Sequence, residues 1–124
     1  MKNFRDLEVW TRAHQLTLDI YKLTGPFPRE ELFGLASQMR RCSASVAANI
    51  AEGCGKKGNG EFQRFLLIAS GSASELEYHL LLAHDLGFVA GPDYQRLTIQ
   101  LSRMRKMLAA LIGKVEKDRL AAKC

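Results

Sequence analysis

Long apolar runs are absent from this chain of 124 residues. The richest stretch, residues 65–69, ends at Ser70, well short of the roughly 18 apolar residues that a membrane-spanning helix needs. The first six residues alternate in charge without an apolar segment, so we expect no signal peptide. These absences predict a cytoplasmic protein that makes no membrane contact.

Cysteine is scarce, and the spacings typical of metal or disulfide sites are missing. Cys42, Cys54 and Cys124 are odd in number and share no C-x-x-C spacing, which predicts reduced thiols. Cys42 and Cys54 lie too far apart along one helix to share an ion, and no two histidines are three or four residues apart. We therefore predict no metal site, and no haem or flavin motif is found.

No alternating strand pattern occurs, whereas helical periodicity occurs four times. The predicted helices cover about residues 5–23, 30–52, 61–86 and 92–118. They predict an all-α fold, an up-down-up-down antiparallel four-helix bundle, with residues 1–124 as one domain. The stripes expected to form the core are Val9, Ala13, Leu16, Ile20 and Leu23; Leu32, Leu35, Met39, Cys42, Val46, Asn49 and Gly53; Phe62, Phe65, Ala69, Ser72, Leu76, Leu80 and Ala83; and Leu97, Leu101, Met104, Leu108, Leu111 and Val115.

Local signals set the ends of these helices. Glu30 and Glu31 are expected in the first turn of the second helix, where carboxylates suit the helix dipole. Gly87 is a natural residue to follow the third helix in a left-handed conformation. Pro92 suits the start of the fourth helix.

Small residues crowd the second helix, and residues 69–74 form a matching patch on the third. Gly71 in mid-helix costs about 1 kcal/mol relative to Ala, a cost that is tolerated where a neighbouring backbone approaches closely. We therefore expect the two patches to face each other. A catalytic serine is disfavoured, because no G-x-S-x-G motif is present.

The first and third helices carry more apolar residues than one core face needs. Leu7, Trp10, Leu18 and Tyr21 lie outside the stripe of the first helix. One interpretation is a wide core seam with some exposed leucines. The other is a second buried surface, and hence a homo-oligomer.

The net charge of +5 is concentrated at one end of the sequence. Residues 1–91 contain ten basic and ten acidic residues, so the excess lies in residues 92–124. Five cations of the fourth helix fall within an arc of about 80° that faces away from its apolar stripe. Such a face either tracks a phosphate backbone or keeps the protein soluble. The five are Arg96, Arg103, Lys106, Lys114 and Lys117.

The glycine-rich segment 53–60 contains Lys56 and Lys57. Backbone N–H groups of such turns bind phosphate in some proteins, but this segment is not a Walker motif, since no Ser or Thr follows the lysines. The alternative is a flexible connection between helices. Lys56 and Lys57 remain candidate contacts to a polynucleotide backbone.

Several short blocks of the sequence resemble one bacterial family, the 23S rRNA-intervening-sequence proteins. The most specific block is Asn49-Ile50-Ala51-Glu52-Gly53; the others are residues 4–10, 33–35, 38–41, 61–66 and 69–76. The resemblance implies a cytosolic up-down bundle that assembles into a ring-like homo-oligomer, a pentamer. It also implies no enzymatic activity. A related branch serves reverse transcriptases of diversity-generating retroelements and is thought to bind nucleic acid.

The polar residues of these blocks need partners. Asn49 lies on an apolar stripe, where an unpaired amide costs about 1–3 kcal/mol. Arg41, Glu52 and Glu75 are expected to form a charge network with it or with a neighbouring subunit. The alternative, an acid/base pair of Glu52 and Glu75, lacks a recognisable substrate cleft.

Two hypotheses follow from the sequence. The first is a non-enzymatic, oligomeric protein that binds RNA or DNA through charge and shape, without a cofactor. The second is an oligomeric scaffold or adaptor for a protein partner, in which the charge serves only solubility.

Overall fold

The fold contains four α-helices and two short 3-10 turns. The computed structural model describes residues 2–122, and within them there is no strand. Each helix packs against its neighbours in the chain, and the first also packs against the fourth. The all-α prediction is confirmed. The elements are a 3-10 turn at Phe4–Asp6, α1 at Glu8–Thr24, a 3-10 turn at Arg29–Glu31, α2 at Leu35–Cys54, α3 at Asn59–Asp85 and α4 at Gly91–Ala122.

The core forms where the four apolar stripes meet. Most predicted stripe residues are buried, among them Ile20, Met39 and Leu97, whose exposed fraction is 0%. Leu23, Asn49, Ser72 and Leu111 are half-buried. Leu32 is the clear exception, because it lies before α2 and is exposed. Within residues 2–122, no helix combines the length and the apolarity needed to cross a membrane.

The second helix begins five residues later than predicted. Gly34 has φ −105° and ψ −113°, which are not helical values, and residues 29–31 form a separate 3-10 turn. Glu31 therefore precedes the helix, and its Oε1 accepts the backbone N–H of Leu35 at 3.1 Å. The carboxylate accepts a hydrogen bond from a backbone N–H that has no partner within the helix. The sequence predicted a carboxylate at the start of this helix, but placed Glu31 inside its first turn rather than before it.

The other helix ends differ by smaller amounts. Asn3 accepts the N–H of Arg5 at 3.0 Å and caps the 3-10 turn. Leu7 is extended, so α1 starts at Glu8 rather than near residue 5. The third helix starts two residues before the predicted position 61, and α4 continues past 118 to Ala122.

The turn after α3 confirms the predicted role of Gly87. Its φ of 83° is left-handed. Its N–H donates to the carbonyl of His84, and the N–H of Phe88 donates to the carbonyl of Ala83, both at 2.9 Å. This pair of bonds is the Schellman motif, which satisfies the last carbonyls of a helix.

The small-residue patches of α2 and α3 meet, although not through Gly71. Ser45 and Ser72 share a hydrogen bond between their hydroxyls at 2.8 Å. A Cβ built on Gly53 would lie 3.0 Å from Cδ1 of Phe62 and from Cβ of Phe65. Gly71 instead faces open space, so the expectation that it contacts α2 is wrong. The close approach is therefore at position 53, where a Cβ would be tightly packed against α3.

Replacing Gly87 by alanine should lower the free energy of unfolding by about 1 kcal/mol, because a Cβ disfavours a left-handed backbone. Gly113 is the matched control, since it is helical, exposed and free of neighbours within 4 Å. Gly113→Ala should stabilise the protein by up to about 1 kcal/mol. Chemical denaturation measures both, and equal effects would contradict the assigned backbone conformation.

Candidate nucleic-acid interface

The five cations predicted on α4 are all exposed. They span residues 96 to 117, which is about 32 Å of helix at about 1.5 Å per residue. The helix is continuous over this length, so one rigid element positions all five. We call these residues, Arg96, Arg103, Lys106, Lys114 and Lys117, the basic stripe.

One residue of the basic stripe forms an ion pair within the described part of the chain, and the other four do not. Arg96 pairs with Asp93, one turn earlier, at 3.2 Å. Asp93 therefore neutralises part of the charge at the amino-terminal end of the stripe. Arg103, Lys106, Lys114 and Lys117 form no ion pair within residues 2–122.

The two α4 arginines outside the basic stripe point towards α3. Arg105 donates to Glu77 at 2.7 Å and to the Ser74 hydroxyl at 2.8 Å. Arg119 pairs with Glu116 at 3.3 Å and donates to Gln63 at 3.0 Å. These cations stabilise the contact between the helices, whereas Arg103, Lys106, Lys114 and Lys117 have no ion-pair partner in the described residues.

The glycine-rich connection between α2 and α3 borders a cleft of about 380 Å³. Lys2, Lys56 and Lys57 line it. The ammonium of Lys2 lies 4.9 Å from the ring centroid of Phe62, and that of Lys56 lies 5.4 Å from that of Phe65. Three ammonium groups therefore gather at this end of the bundle.

The carboxyl end of α4 lies at the same end of the bundle as this cleft. Nε of Arg119 is 3.9 Å from a Cβ built on Gly60, in the first turn of α3. Lys117, two residues earlier, is thus brought to the end that holds Lys56 and Lys57. One end of the basic stripe and the glycine-rich segment therefore lie at the same end of the bundle.

The predicted polar network does not join within one chain. Asn49 is half-buried and donates to the carbonyl of Ser45 at 2.8 Å and to its hydroxyl at 2.9 Å. Arg41 and Glu52 are exposed, and neither forms an ion pair within the described residues. Glu75 instead contacts Cys42. The contact with a neighbouring subunit stays a prediction.

A cluster of three side chains lies on the α2–α3 seam. The thiol of buried Cys42 donates to Oε2 of Glu75 at 2.5 Å, and its Sγ lies 3.6 Å from Nδ1 of His79. Burial, the hydrogen bond to Glu75 and the charge of Glu75 raise the pKa of Cys42 to about 12. The thiol is therefore protonated at neutral pH, which disfavours a nucleophilic role.

The sequence contained a signal for this cluster. Glu75 and His79 are four residues apart, so they share one face of α3. The pair of Glu75 and His79 was missed because only the spacing between histidines was considered. Cys42, the third member, lies on another helix. Cys42 and Cys54 are both free thiols, and Cys124 lies outside the described residues.

Fold and surface together define a class of protein: a small all-α four-helix bundle with one helix that carries an exposed basic stripe. The chain belongs to the 23S rRNA-intervening sequence protein family, whose model matches residues 5–110. The resemblance seen in the sequence blocks is thereby confirmed.

A solved structure with the same fold is available for comparison. It is a protein of unknown function from the S23 ribosomal protein family of Bacteroides thetaiotaomicron. It is 24% identical, the match covers 84% of this chain and 97% of that one, and the TM-score is 0.76. No curated protein matches this chain.

Replacing Glu75 by glutamine should make Cys42 react faster with iodoacetamide. Removing the carboxylate charge lowers the pKa of the thiol, and each unit raises the thiolate fraction tenfold. At one mildly alkaline pH and with a chelator present, the rate should rise at least about tenfold. Peptide mass spectrometry measures alkylation at Cys42 separately from the other thiols.

Glu77→Gln is the control for this experiment, because Glu77 lies two residues away and pairs with Arg105 instead. Its alkylation rate should equal that of the unmodified protein. An equal rise in both variants would mean that Glu75 has no specific effect on the thiol.

Proposed function

We propose that this protein is a non-enzymatic, cytoplasmic homo-oligomer that binds nucleic acid, RNA or an RNA/DNA hybrid, through the basic stripe. The observation that carries the proposal is the set of four exposed α4 cations without an ion-pair partner in residues 2–122. Solvated lysines on one rigid helix release counterions when they meet phosphates, and this release drives binding.

RNA is the first ligand to test, because the family is named for an intervening sequence of 23S rRNA. We expect the protein to read charge and shape rather than bases. Tyr94, the only aromatic residue of α4 in the described chain, stacks on His84 with ring centroids 4.3 Å apart. It is therefore already engaged and does not offer a base-stacking platform.

Self-association is the second part of the proposal. Leu67, Tyr78 and Leu81 lie on one face of α3 and expose 53%, 58% and 42% of their surface. Gly71 lies between them and faces open space, so a helix of a second subunit could approach closely there. We propose that up-down-up-down antiparallel bundles join through this face, as a pentamer by resemblance to the family.

A ring would multiply the basic stripe. Each subunit supplies a weak patch of four or five cations, and linked copies bind one polynucleotide with much greater avidity. Lys56 and Lys57 add charge at the end of the bundle where Lys117 lies.

The competing function is an oligomeric scaffold for a protein partner. The exposed apolar residues on α1, Leu18 and Tyr21, favour this alternative if self-association leaves them uncovered. It predicts no binding to nucleic acid at low salt.

Reversing two stripe charges, Lys106→Glu with Lys114→Glu, should weaken RNA binding at least about tenfold. Each lost phosphate contact should also reduce the slope of log K against log salt by about 1, hence about 2 in total. Fluorescence anisotropy with single-stranded RNA, duplex RNA and an RNA/DNA hybrid across a salt series measures both quantities.

The control carries the same change in charge elsewhere. Lys22 and Arg29 are exposed and unpaired within the described residues, and their double replacement by Glu should cost little affinity. Equal losses in the two variants would show that only net charge matters. Absence of binding by the unmodified protein at low salt would overturn the proposal and favour the scaffold.

Placing a charge on the apolar face of α3, Tyr78→Glu, should shift the assembly towards monomers, because an unpaired carboxylate is costly in a dry interface. Ile99→Glu is the control, since Ile99 is a comparably exposed apolar residue on α4. Multi-angle light scattering gives the mass of each variant. A monomeric unmodified protein, or an assembly that both variants leave intact, would contradict this interface.

A further inference from the structure

We propose that Cys42, Glu75 and His79 form a binding site for a zinc ion at the edge of the α2–α3 seam. The donor atoms of the three side chains all lie within 4.8 Å of one another. This inference is independent of nucleic-acid binding.

The backbone places the three groups together without any long loop. Glu75 and His79 are one turn apart on α3 and share its face. Cys42 projects from α2. One turn further along the seam, the hydrogen bond between the hydroxyls of Ser45 and Ser72 fixes the spacing of the two helices. A site supported by two packed helices is more rigid than a site on loops.

The separation of the sulfur and nitrogen donors agrees with a shared tetrahedral ion. Zinc bonds of about 2.3 Å to sulfur and about 2.0–2.1 Å to nitrogen place these two ligands roughly 3.5 Å apart. The observed separation of Sγ from Nδ1 is 3.6 Å. The Glu75 oxygen lies closer to the sulfur, at 2.5 Å, and must move outward by about 1 Å. Glu75 is exposed, so its side chain has room to rotate.

The chemistry of the donors selects zinc over harder cations. Thiolate, imidazole and carboxylate are the three ligand types that zinc uses, whereas magnesium and calcium prefer oxygen alone. One thiolate and one carboxylate balance the charge of the divalent ion. Binding replaces the S–H bond by a sulfur–zinc bond and releases the proton to solvent.

The site is accessible from one side. Cys42 is buried, His79 is half-buried and Glu75 is exposed, so the ion enters past the carboxylate. Three protein ligands leave the fourth tetrahedral position to water.

The experiment uses cobalt(II) as a spectroscopic probe and zinc as its competitor, with the full chain carrying Cys54→Ala and Cys124→Ala. Cys42 is then the only thiol. We expect one cobalt per chain, a thiolate-to-cobalt charge-transfer band in the near ultraviolet, the visible bands of a tetrahedral ion, and loss of all bands when one equivalent of zinc is added.

Ligand variants in the same background assign the site. Cys42→Ser should abolish the charge-transfer band, and His79→Ala and Glu75→Gln should each weaken metal binding at least about tenfold. His14→Ala is the control, because His14 stacks on Trp10, and it should bind cobalt as before. Circular dichroism checks that each variant is folded.

His79→Ala keeps the test decisive if Cys42→Ser fails to fold, because His79 is only half-buried. Absence of a charge-transfer band in the background protein overturns the proposal. So does cobalt binding of undiminished affinity after loss of His79.

Discussion

The close packing of α2 against α3 is the constraint on which the rest of the structure depends. At Gly53 a Cβ would lie only 3.0 Å from side-chain atoms of Phe62 and Phe65, and Ser45 forms a direct hydrogen bond with Ser72 across the seam. Ala69 and Ala73 are fully buried along α3. Small side chains let the two helices approach, and dispersion contacts between closely packed atoms then stabilise the pair.

α3 carries large apolar residues on two faces. Phe62, Leu66, Leu76 and Leu80 are buried beside the small residues of the inner face, whereas Leu67, Tyr78 and Leu81 remain exposed. Contiguous exposed apolar surface is unusual in a monomer. The small residues of the seam thus account for the close approach of α2, whereas the exposed apolar face of α3 is the surface through which we propose that a second subunit binds.

Periodicity and end signals predicted most of the fold. The stripes on α1, α3 and α4 are buried nearly as expected, and Gly87 ends α3 as its sequence indicates. The start of α2 was mispredicted because the backbone at Gly34 interrupts the helical pattern, and residue type alone does not reveal those angles. The prediction that Gly71 contacts α2 was wrong, because a glycine in the middle of a helix does not indicate which face of the helix a neighbour approaches.

The candidate sites were predictable only where they lie on one helix. The exposure of the basic stripe follows from angular position on α4, whereas the pairing of Arg96 with Asp93 depends on which rotamers the side chains adopt. The Cys42 cluster joins two helices across 33 residues, so its formation depends on the axial register of α2 against α3. The axial register depends on how the small residues of the two helices pack against each other. The periodicity of a single helix does not contain this information.

The two candidate sites lie on different helices. Cys42, Glu75 and His79 are on α2 and α3, whereas the basic stripe is on α4. The first helix packs on α2 and α4, and α3 packs on the same two, whereas the backbones of α2 and α4 do not approach each other closely in the described chain. Cys42 therefore lies on the helix diagonal to α4, and Glu75 and His79 lie on a direct neighbour of α4. Arg105 and Arg119 form hydrogen bonds with side chains of α3 and therefore stabilise the fold. The unpaired cations that remain on α4 contribute little to packing, and a charge that does not stabilise the folded chain is free to be used in binding.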